Sequence, residues 1–67
     1  MRHIYDLVLF EELHTRFQML LQRARRELEH ARAEGHDTMY LVGKRDAYEV
    51  AEAMVDEAIA RLKDRNA

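Results

Sequence analysis

Apolar residues recur through the first half of the chain at Leu7, Phe10, Leu13, Phe17, Leu20, Leu21, Ala24, Leu28 and Ala31. Steps of three and four place them on one face of an α-helix. Asp6 stands where an N-cap would accept the first free amides. Gly35 stands where a helix ends in the left-handed C′ position. The spacing therefore predicts a helix over about 6–34. One competing reading makes "HIYDLVLF" a strand, because β-branched and aromatic residues are dense there. A lone strand has nothing to pair with, and no second run of comparable strength exists.

The next residues, Gly35-His36-Asp37, form a short link, with Asp37 or Thr38 able to cap the second helix. A link this short makes the flanking helices antiparallel neighbours. The second segment runs over about 38–65 and contains Gly43. The stretch "TMYLV" also reads as a strand, and Asp46 with Glu49 is a capping-box variant that would start a helix there. Against both, Leu41, Lys44, Tyr48, Ala51, Val55, Ala58 and Leu62 keep helical spacing straight through the glycine. Gly43, Ala47 and Ala51 form a row of small residues four apart, which would admit a close neighbouring helix and offset the glycine's cost. One continuous helix is expected.

Folding the chain back about His36 sets opposed residue numbers to add to about 72. Arg26 then lies near Asp46, Glu27 near Arg45, Arg23 near Glu49, Arg16 near Asp56 and Glu11 near Arg61. Apolar residues pair too: Phe10 with Leu62, Phe17 with Val55, Leu21 with Ala51, Ala24 with Tyr48, Ala31 with Leu41. Exposed ion pairs contribute little stability, but they set register.

A two-helix hairpin buries one stripe per helix. Val8, Leu9 and Met19 are left over on the first helix, and Met39, Val42, Val50, Met54 and Ile59 on the second. Of these, Val8, Leu9, Met19, Val42, Val50, Met54 and Ile59 are the candidate interface. The simplest way to cover them is a two-fold homodimer, which makes a four-helix bundle. The expected architecture is thus all-α: a single hairpin domain over 1–67 that dimerises.

Composition agrees. Cysteine and proline are absent, and Ala, Leu, Glu and Arg dominate. Disulfides and thiolate metal sites are excluded. At 67 residues, a core is marginal without a partner. Eleven basic and thirteen acidic residues, for a formal charge of -2, disfavour a nucleic-acid surface. The apolar run Leu7–Phe10 is too short to span a membrane and is followed at once by acids, unlike a signal peptide. A cytoplasmic protein is expected.

Few residues suggest chemistry. Glu11-x-x-His14 and Glu27-x-x-His30 have the spacing that puts both side chains on one face, as in carboxylate-bridged di-metal bundles. Glu57 is placed to face His14 across the hairpin, so Glu11, His14 and Glu57 are the candidate metal ligands. Most such pairs arise by chance among so many acids, and the expectation is no metal and no cofactor. Asp46, Glu49, Glu52, Asp56 and Glu57 form an acidic run that reads as a solvated face answering the first helix's arginines. Thr15 and Thr38 lack a histidine–acid arrangement to activate them, and there is no glycine-rich phosphate loop. No catalytic residue is assigned.

The stretch Tyr40-Leu41-Val42-Gly43-Lys44-Arg45-Asp46-Ala47-Tyr48-Glu49-Val50 resembles a Y-x-x-G-K-x-D-A-Y pattern in small uncharacterised proteins of phages and mobile elements. The resemblance implies a helical hairpin that binds another protein, and it carries over no functional residues. The expected function is a non-enzymatic protein-binding or regulatory module, working as a homodimer and as a phage-type modulator of a host protein. The alternative is a carboxylate/histidine metal-binding helical-bundle protein or enzyme.

Overall fold

Two antiparallel helices make up the computed structural model, α1 (Arg2–Ala33) and α2 (Met39–Asn66), packed against each other in a rod 51 × 14 × 13 Å. The structure describes residues 2–66, and side chains for residues 5–65. No strand occurs among the described residues, so neither "HIYDLVLF" nor "TMYLV" is extended. No helix among them is long and apolar enough to cross a membrane.

The turn is built from two local devices. Gly35 takes a φ of 73°, the left-handed conformation that a Cβ would disfavour. Its N–H donates to the Arg32 carbonyl (3.2 Å), and that of His36 reaches back to Ala31 (2.9 Å). This is a Schellman closure, and it satisfies the carbonyls that the end of α1 leaves free. Asp37 then accepts the Met39 N–H on Oδ1 at 3.0 Å and so caps α2. The Val42 N–H already bonds to Thr38 at 2.9 Å.

The other predicted cap fails. Asp6 lies inside α1, which begins four residues earlier and has no acid in its first turn. Nothing between residues 2 and 5 breaks a helix, and extending a formed helix costs far less than nucleating one.

The buried residues are Leu21, Ala24, Leu28 and Ala31 in the turn-proximal half of α1 and Val55, Ile59 and Leu62 in the turn-distal half of α2. Leu7, Phe10, Phe17, Leu41, Tyr48, Ala51 and Ala58 are half-buried. Ile59 corrects the expected interface: it is only 8% exposed. At 100° per residue the true seam sits roughly 30° further round α2 than the expected stripe. That rotation turns Ile59 inward and leaves Ala51 and Ala58 at the edge.

The cross-helix pairs Arg25–Glu49 (3.3 Å), Glu27–Lys44 (3.4 Å) and His14–Asp56 (3.8 Å) lie within two positions of the expected register, while His14–Glu52 (3.5 Å) is a diagonal contact six positions from it. None of the five expected ion pairs is among those formed between described side chains. Glu49 meets Arg25 rather than Arg23, and Glu27 meets Lys44 rather than Arg45. Asp46 is held by its neighbour Arg45 (3.0 Å), and Arg61 by Glu57 on its own helix (2.6 Å). Register sets height along the rod, whereas a pair also needs both residues on the same side of it. Arg23 and Arg25 are two residues apart, so they project to nearly opposite sides. The apolar pairing is likewise diagonal in one place: the Phe17 ring meets Tyr48, with centroids 6.5 Å apart at 46°.

α2 runs unbroken through Gly43, as expected. The reason given for the glycine does not hold within the hairpin. A Cβ built on Gly43 would meet nothing within 4 Å, and both Gly43 and Ala47 are exposed. The row Gly43–Ala47–Ala51 is therefore not the contact line with α1.

Gly43→Ala should raise the melting temperature, through a helix-propensity gain of about 0.5–1 kcal/mol. Thermal unfolding followed by circular dichroism measures this, and a drop would mean a clash absent from the hairpin. Asp37→Ala should cost about 1 kcal/mol and lower the melting temperature by about 4–8 °C.

Candidate interaction face

The two sides of the rod differ. One carries Arg25–Glu49 and is polar. His14 lies on this side with Nε2 3.5 Å from Glu52 Oε1 and 3.8 Å from Asp56 Oδ1. The imidazole is half-buried and forms an ion pair with these carboxylates only when protonated. Its acidic neighbours are therefore not the expected ones, since Glu57 is engaged by Arg61 at 2.6 Å. Glu11, His14 and Glu57 do not assemble into a metal site. Among the described residues no group of three or more histidine or acidic side chains is placed to hold a metal ion.

Each member of the acidic run has a nearby partner. Glu49 meets Arg25 and Arg45, Asp46 meets Arg45, Glu52 and Asp56 meet His14, and Glu57 meets Arg61. Only Glu49 answers an arginine of α1. At the hairpin tip Glu34 sits between His30 (3.1 Å) and His36 (3.6 Å), all exposed. The Thr15 hydroxyl donates to the Glu11 carbonyl at 3.1 Å, a local helix bond rather than an activated nucleophile.

The opposite side carries Glu27–Lys44 and is mostly apolar. Helical geometry places Leu9, Leu13, Arg16 and Leu20 of α1 on it, beside Gly43, Ala47, Val50 and Met54 of α2. Leu9 is 63% exposed, Val50 59% and Met54 66%. Two shallow hollows run along the α1 edge, one lined by Leu9, Glu12, Leu13 and Arg16, the next by Arg16, Met19, Leu20 and Arg23.

The expected interface residues thus separate into groups. Leu9, Val50 and Met54 share this side, with Met19 at its rim. Val8 points outward, roughly half a turn round α1 from the seam. Val42 is half-buried toward the polar side, and Ile59 belongs to the core. Leu13, Leu20, Gly43 and Ala47 join the face instead. Spacing alone assigns Leu13 and Leu20 to the seam because one wide apolar arc on α1 serves both surfaces.

Glu11→Ala combined with His14→Ala should leave the helix content intact and cost no more than about 1 kcal/mol, because Glu11 is exposed and the His14 contacts are partly solvated. Urea denaturation measures the cost. Elemental analysis of the purified parent and variant should return the same metal content.

Compared with known proteins, the chain matches no family model, and neither a curated protein nor a solved structure is significantly similar to it.

Proposed function

We propose that this chain is a protein-binding module that works as a homodimer in the cytoplasm and catalyses no reaction of its own. One observation carries the reading: Leu9, Leu13, Val50 and Met54 are exposed together on one side of the rod. Seven buried core residues among the described side chains make a small core for independent stability, and covering a second apolar side adds burial. One side of a rod 51 × 14 Å offers on the order of 700 Å², near the about 800 Å² per partner of a standard interface. Pairing two such hairpins gives a four-helix bundle, the usual outcome for helices with two apolar arcs.

The polar side remains outside that bundle. Its mixed charges, with Arg25, Arg45 and Glu49 around one hollow, suit recognition of a second, different protein. The resemblance of residues 40–50 to phage and mobile-element proteins supports a host protein as that partner.

Light scattering at micromolar concentration should return twice the chain mass of 8.0 kDa. Met54→Asp places a charge in the proposed interface and should weaken association at least about tenfold, or 1.4 kcal/mol. A parent protein that is monomeric and fully helical would overturn the dimer.

A further inference from the structure

The exposed apolar face is asymmetric in a way that selects how a second copy sits on it. On α1 its residues are long: Leu9, Leu13, Arg16, Leu20 and Arg23. On α2 the small residues Gly43, Ala47, Ala51 and Ala58 recur between the longer Val50 and Met54, with Lys44, Glu57 and Arg61 along the same side. A face-to-face pair of hairpins has two symmetric solutions. With the two-fold axis across the rod, α1 lies on α1 and α2 on α2. Long side chains then meet long ones, and small residues face small ones over gaps. With the axis along the rod, α1 of each copy lies on α2 of the other, and long side chains enter the spaces over small ones.

Charge points the same way. The register of the hairpin puts Glu12 and Arg61 at one height, Arg16 and Glu57 at the next, and Glu27 and Lys44 nearer the turn. Within one hairpin only Glu27–Lys44 is among the pairs formed, and Arg61 and Glu57 turn to each other. An axis along the rod keeps these heights and lays opposite charges over each other between copies. Glu12 comes to Arg61, and Arg16 to Glu57. An axis across the rod reverses the heights of one copy and brings Arg16 toward Arg23, or the partner's Glu27, according to the offset.

We propose that two copies dock face to face about a two-fold axis parallel to the helices, both turns at the same end, with α1 of each seated on α2 of the other. This rests on the homodimer reading above.

The chain has no cysteine, so single-cysteine variants report one contact each. Arg16 and Met54 are both exposed and come opposite each other between copies in this arrangement. Arg16→Cys and Met54→Cys, unfolded together, refolded and oxidised, should yield mainly the mixed disulfide, several-fold above either homodisulfide. Mass spectrometry separates the three products. A homodisulfide from either variant alone that forms as readily as the mixed one would overturn the axis and leave the dimer standing. A parent protein that light scattering shows to be monomeric would overturn both.

Discussion

Two cylinders touch along one line. Whatever else this chain does, its helices can hide only the arc nearest that line, and the rest of the structure is bound by that limit. Leu21, Leu28, Val55, Ile59 and Leu62 occupy the line and are buried. Ala24 and Ala31 let the backbones approach there. Every other apolar residue among the described side chains is half-buried or exposed, however apolar it is. The exposed set is not scattered, because the apolar arc of α1 is wider than one line of contact can cover. Leu20 sits beside Leu21 in sequence yet opens toward the neighbouring side.

Gly35 in the left-handed region and Asp37 bonded to the Met39 amide reverse the chain within five residues. The reversal settles which side of the seam each residue falls on. On one side it gathers His14, Arg25, Glu49, Glu52 and Asp56, on the other Leu9, Leu13, Val50 and Met54. One hairpin therefore has a solvated polar flank and an apolar flank. A lone pair of helices gains little from its surface ion pairs, which are worth well under about 1 kcal/mol each. Their effect is to hold register and to keep the polar flank in water.

Much of this is legible in the residue order. Periodicity locates both helices, and the glycine and aspartate of the turn act locally, so they can be read without any packing. The continuity of α2 through Gly43 is legible too, since the apolar spacing never shifts phase there. The candidate site is legible only in part. Leu9, Val50 and Met54 stand out as surplus, whereas Leu13 and Leu20 are hidden inside a stripe that looks complete. The metal trio of Glu11, His14 and Glu57 fails for a similar reason. Spacing along one helix puts side chains on a common face, but it does not say which residue of the next helix that face will meet.

Residue order alone dictates the helices, their antiparallel order, the turn between them and the height at which each residue stands. Those properties depend on spacing within a segment and on the length of the link. Packing of the two helices sets the angle at which each presents itself to the other. A rotation of roughly 30° in α2 moves Ile59 from surface to core, and the choice of side sends Glu49 to Arg25 instead of Arg23. That angle comes from fitting all the seam side chains together at once, so no single spacing encodes it. Gly43 shows the difference most clearly. Its place in a helix is written in the pattern around it, and the open space beside it exists only because α1 packs elsewhere.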